Sequence, residues 1–168
     1  MKCAETDFIE EGYFYTSEFY EVPLSEMLEF NSKWDPLPIH TDQRAAKLTG
    51  YRDVIASGQY VMCVKQHFIS SIPWRKNIVA SAGFDELRFH KPVYANDRLH
   101  LSLECTHRRA SVKNPSKIVC KFQVQIYNQS DNVVLSYIDT IILQTSSGIL
   151  QTSSGSVVLD TKLAKTEN

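Results

Sequence analysis

Two apolar periods divide the chain. From Gly58 to Ile72 the residues Val61, Met62, Val64, Phe68, Ile69 and Ile72 recur at helical spacing over a broad arc. That breadth predicts a helix buried on more than one side, and Pro73 limits its far end. Beyond it the period drops to two. Leu99, Leu101, Leu103 and Cys105 alternate with polar residues, as do Ile118, Cys120, Phe122, Val124 and Ile126, and Val133 to Leu143 is strand-like. Ala95-Asn96-Asp97 and Asn128-Gln129-Ser130-Asp131-Asn132 are the turn clusters that punctuate these strands.

Ahead of the long helix the pattern is more broken. Tyr13 to Tyr20, rich in aromatics and Thr, suits a strand. Ser25 to Asn31 reads as a short helix with Leu24, Met27, Leu28 and Asn31 on one face; it starts at Pro23 and Ser25 and ends before Trp34. Pro36 and Pro38 remove two backbone donors and push their preceding residues toward extended conformations, which predicts a stiff irregular loop from Asp35 to Pro38. A short helix restarts at Thr41-Asp42, where either side chain can cap it, and stops at Gly50. One strand, then helices, then a run of antiparallel strands predicts an α+β fold with a helix packed on a sheet.

Composition adjusts this picture only slightly. The chain has 168 residues, 43% hydrophobic and 22% charged, enough for one core and no more than one domain. A formal net charge of -1 leaves no general excess of cations for nucleic acid. The four cysteines form no C-x-x-C pair and read as reduced and structural. The N-terminus lacks the apolar run of a secretory signal and no apolar stretch is long enough to span a bilayer, which predicts a cytoplasmic protein without a membrane partner. A short repeat, Leu143-Gln144-Thr145-Ser146-Ser147-Gly148 and Leu150-Gln151-Thr152-Ser153-Ser154-Gly155, divides the chain into a domain over 1–143 and a Ser/Thr/Gly-rich tail over 144–168.

The candidate chemistry lies in Asp35-Pro36-Leu37-Pro38-Ile39-His40, a carboxylate and an imidazole at the ends of a proline-stiffened segment. Such a pair can share the proton transfers of water addition, although the spacing alone is common. Ser57-Gly58 opens the buried helix. Amides at a helix start carry partial positive charge, and Gly lets a ligand approach the backbone; equally, Ser57 can serve only as a cap and Gly58 only for tight packing. His67, His90, His100 and His107 make no spaced ligand set and read as structural, so no metal is expected. Trp34 and Trp74 read as core or interface aromatics. Arg108, Arg109, Lys113 and Lys117 surround Asn114-Pro115; they read as a solvated hairpin, which a phosphate-rich coenzyme tail could also use.

Taken together, Phe30, Asp35 to Asp42, Ala45-Ala46, Ile55-Ala56-Ser57-Gly58 and Leu87 to Asp97 resemble the MaoC-like dehydratases, the R-specific enoyl-CoA hydratase group, over about Tyr20 to Leu143. The resemblance implies a single hot-dog fold, an antiparallel sheet wrapped around a central helix at about residues 58–72. It implies hydration of a trans-2-enoyl thioester to the 3-hydroxyacyl product, or the reverse, with Asp35 and His40 as the catalytic pair. The Gly58 N–H would bind the thioester oxygen, Ser57 would shape the site, and Phe89 and Pro92-Val93 would support the fold. Coenzyme A or acyl carrier protein enters as part of the substrate, with no separate cofactor, and the chain is expected to form a homodimer. Two departures stand out: Leu37 occupies a place that is often Asn or Gln, and Asn96-Asp97 replaces a Gly-Asp step. The alternatives are a hot-dog acyl-CoA thioesterase, disfavoured because the helix from Gly58 to Ile72 carries no Asp or Glu, and a non-catalytic acyl-binding subunit.

Overall fold

The alternation in the C-terminal half becomes three long antiparallel strands, β4 (Arg98–Ala110), β5 (Lys117–Tyr127) and β6 (Val133–Gln144). The structure, a computed structural model, describes Thr6 and residues 8–145. Leu101 sits opposite Ile126 and Cys105 opposite Phe122, and the inward-pointing residues of β4 and β5 are fully buried. Asn96 and Asp131 take left-handed backbone conformations in the two turn clusters, φ 64° and 55°, which Asn and Asp tolerate better than most residues.

Two further pairings complete the sheet. The single strand expected over Tyr13–Tyr20 is two short ones, β1 (Phe14–Thr16) and β2 (Tyr20–Glu21), both on β4. Ser17 causes the break: its Oγ accepts from the Leu101 N–H at 2.9 Å, so a side chain replaces a ladder carbonyl. On the other side lies β3 (Ile78–Phe89), a strand the apolar pattern does not predict. It pairs antiparallel with β6 through three register shifts, and every residue from Val79 to Glu86 is exposed. The sheet order is β1-β4-β5-β6-β3.

The helices cover this sheet. α1 (Leu24–Trp34) runs longer than expected and includes Trp34, because Pro36 excludes only Asp35 from helical geometry; Trp34 is exposed rather than core. α2 (Pro38–Thr41) begins where a loop was expected. Pro38 sits in its first turn, where a missing N–H costs nothing, so His40 rides on a helical turn. Asp42 Oδ1 then accepts from Ala45 N at 2.8 Å and caps α3 (Gln43–Leu48), and Gly50, two residues past its end, turns the chain with φ 93°. α4 (Gly58–Ser71) buries Tyr60, Val61, Val64, Phe68 and Ile69 in one core with the strands. Each such side chain contributes about 1.5–3 kcal/mol on leaving water. Trp74 closes the core, stacked on Phe122 at 5.4 Å while its Nε1 donates to Tyr13 Oη.

α4 also buries Lys65, its ammonium 4.3 Å from the centre of the Phe84 ring. Nearby Asp139 is buried on β6 and accepts from Ser81 Oγ at 2.6 Å. Burial pushes the Asp139 carboxyl above its usual range and the Lys65 ammonium below its own, each partly offset by the other's charge. Cys105 and Cys120 are buried free thiols, and Cys63 is exposed. Cys3 and residues 146–168, which hold most of the repeat and Val157-Val158-Leu159, lie outside the described residues. Among the described residues no helix is long and apolar enough to cross a membrane.

Candidate active site

Asp35 follows the last residue of α1, and its N–H donates to Asn31 O at 2.9 Å. His40 lies one turn into α2, held by its N–H to Leu37 O at 2.8 Å. Two prolines thus set a side chain just past the end of α1 and one on α2 toward one point. His40 Nε2 stands 3.7 Å from Asp35 Oδ2; the imidazole side chain is 8% exposed and the carboxylate 26%.

The other ring nitrogen decides the chemistry. His40 Nδ1 lies 2.9 Å from Ile55 O, and since a carbonyl only accepts, Nδ1 carries the hydrogen. In the neutral ring Nε2 therefore holds a lone pair aimed toward Asp35. At 3.7 Å this is too long for a direct hydrogen bond. Two acceptors at this separation suit a water molecule that donates one hydrogen to each.

Both side chains line a cavity of about 420 Å³, whose wall also includes Ile55, Gly58, Val61, Phe89 and Val134. Gly58 is the first residue of α4, so its N–H has no intrahelical carbonyl to bind. A Cβ at Gly58 would lie 2.8 Å from Phe89 Cζ. Packing and access thus both favour glycine there. Ser57 does not line the cavity: fully buried, it turns its Oγ back to accept from Tyr60 N at 3.1 Å and caps α4. The structure brings Asp35, His40 and Gly58 to one cavity and puts Ser57 behind it.

Several lining residues were read otherwise from the sequence. Phe89 and Pro92-Val93, expected to support the fold, form part of the wall. His90 lines it too, its Nε2 2.7 Å from Ser136 Oγ. Arg108, Arg109, Lys113 and Lys117 are absent from the lining; Lys91 is the cation there, and it continues with Pro92 into a neighbouring groove shared with Arg52 and Tyr94. Leu37 is half exposed at the N-cap of α2 and is not part of the wall. The signal for Phe89 lay in its place ahead of the Pro92-Val93 step, but only the fold carries it onto Gly58. Among the described residues no three His, Cys, Asp or Glu side chains gather into a metal-binding group.

Comparison with known proteins places this arrangement in a family. Residues 15–125, more than half of the chain, match the family described as MaoC like domain, and the chain belongs to it. The protein YdeM of Bacillus subtilis (strain 168) is 22% identical over 121 residues, 71% of this chain and 84% of YdeM. A MaoC-like dehydratase from Rhodospirillum rubrum superposes with a TM-score of 0.78 at 22% identity, covering 84% of this chain and 97% of that one. The R-hydratase PhaJ1 from Pseudomonas aeruginosa gives 0.63 at 22% identity, covering 81% and 82%. The fold is thus the hot-dog fold of this family, with α4 as the helix the sheet wraps.

Proposed function

We propose that the protein is a hydratase acting on acyl thioesters, adding water to a trans-2-enoyl-CoA to give the (R)-3-hydroxyacyl-CoA, or running the reverse dehydration. One observation carries this reading: Asp35 and His40 face each other across the space of one water, in the same cavity as the free amide of Gly58.

The chemistry follows from these positions. A water held between the two side chains loses a proton to His40 Nε2, and its oxygen bonds to C3. The C2–C3 π electrons move toward the thioester, whose oxygen takes up negative charge. The Gly58 N–H, at the positive end of α4, stabilises that charge; one such donor typically supplies about 3 kcal/mol. The proton held by the Asp35–His40 pair returns to C2, so atoms and charge balance. Lys91 on the cavity wall, with Arg52 in the adjoining groove, supplies positive charge of the kind that a phosphate-bearing carrier would bind. Among the described residues β3 has no strand on its outer edge, and with Val79 and Phe84 exposed this supports a homodimer.

The test is turnover of crotonyl-CoA by purified wild-type protein, Asp35→Asn and His40→Ala. Each substitution is expected to lower kcat by about 10² to 10⁴. Wild-type turnover left intact by both would end the proposal.

A further inference from the structure

Asn31 is a buried polar side chain behind the cavity rather than on it. It sits on α1 with no exposed surface and is not part of the cavity wall. Its Nδ2 donates to the carbonyl of His40 at 3.0 Å and to the carbonyl of Ile55 at 3.2 Å. Its Oδ1 accepts from the N–H of Ser57 at 3.1 Å. Only one orientation of the amide fits: two carbonyls can only accept and an N–H can only donate, so a flip would set oxygen against oxygen.

These partners are the segments that carry the site. His40 bears the imidazole, and Ile55 O is the acceptor that fixes its tautomer at 2.9 Å. Ser57 precedes Gly58 at the start of α4. The main-chain carbonyl of Asn31 accepts from Asp35 N at 2.9 Å as well. One residue therefore ties together the backbones of the carboxylate, the imidazole and the helix start. The Ile55 carbonyl is shared, receiving Asn31 Nδ2–H on one lone pair and His40 Nδ1–H on the other.

We propose that Asn31 is a positioning residue, whose side-chain amide locks His40, its acceptor Ile55 O and the Ser57-Gly58 helix start into one register, so that Nε2 keeps its lone pair toward Asp35. An apolar side chain of similar size would pack α1 equally well but would leave the buried His40 carbonyl and Ser57 N–H without partners and take from Ile55 O one of its two donors. The segments would then shift to find water or one another. Displacements near 1 Å in such a site cost about 10²-fold in rate.

The effect on turnover rests on the hydratase reading; the tautomer of His40 does not, so the two are measured separately. Full-length wild type, Asn31→Ala and Asn31→Ser, which keeps one hydroxyl for these groups, are labelled with 15N-histidine. His40 signals are identified by their loss in His40→Ala. The wild type is expected to show the neutral His40 ring with its hydrogen on Nδ1 alone. Asn31→Ala should show a mixture of tautomers and Asn31→Ser a smaller departure. With crotonyl-CoA, kcat should fall about 10²-fold in Asn31→Ala while KM changes by no more than a few-fold. If Asn31→Ala does not fold, the Asn31→Ser spectrum decides. A wild-type tautomer in whichever variant folds, whatever its melting temperature, overturns the proposal, as does a wild type protonated at Nε2. Absence of turnover in the wild type, with the tautomer shift present, would remove the hydratase reading and leave the positioning role standing.

Discussion

Gly58→Ala isolates the contact between the helix start and the cavity wall. The new methyl would sit 2.8 Å from Phe89 Cζ and 3.1 and 3.2 Å from Cε2 and Cε1. Carbon contacts relax at about 3.5–4.0 Å, so the ring must retreat by about 0.7 Å or more. Overpacking typically costs about 1–3 kcal/mol, and Gly→Ala returns about 0.4–1 kcal/mol through the unfolded chain. Because Phe89 is 51% exposed, its ring can tilt outward, which puts the cost at the low end and the net loss of stability near 0–1 kcal/mol. Activity should respond more, because the displaced ring is cavity wall. A shift of this size is expected to lower kcat/KM for crotonyl-CoA on the order of 10-fold. Phe89→Ala removes the obstacle, so Gly58→Ala should cost far less in that background, a coupling of about 1 kcal/mol. Denaturant titration and steady-state kinetics on the four proteins read the cycle. Effects that add within about 0.3–0.5 kcal/mol would refute the steric reasoning.

Two other substitutions test the core and the buried charge. Trp74→Ala removes a fully buried ring stacked on Phe122 and is expected to cost about 3–5 kcal/mol in urea unfolding; a loss under about 1 kcal/mol would contradict the packing described. Asp139 has a folded-state pKa raised by burial above 3.8, so the folded chain holds its proton more tightly than the unfolded one. The resulting stability is fully present below about pH 4 and is lost as pH rises through the raised value. Asp139→Asn, neutral throughout, should flatten that decline when urea midpoints are compared between pH 4 and 8; an unchanged slope would mean that the carboxyl does not carry it.

The parts of the fold legible in the sequence are those with one buried face. β4 and β5 alternate because only one side meets the core, and α4 is apolar over a broad arc because the sheet wraps it. β3 was invisible for the converse reason: its side chains from Val79 to Glu86 are exposed on both faces, which erases the period. The prolines that argued for a loop misled only at Pro38, where the missing N–H falls at a helix start and the residue favours α2. Asp35, His40 and Gly58 could be picked out from their local pattern and family resemblance. Phe89 on Gly58 and Asn31 on Ser57 could not, because each contact joins residues 31 and 26 positions apart through the tertiary fold.

The spatial arrangement itself is tested most directly by a crystal structure with an (R)-3-hydroxyacyl-CoA bound. The thioester oxygen is predicted to lie about 2.7–3.1 Å from Gly58 N, with the 3-hydroxyl in hydrogen-bond reach of both Asp35 and His40. A ligand whose hydroxyl meets neither side chain, or whose carbonyl turns away from the start of α4, would contradict the account.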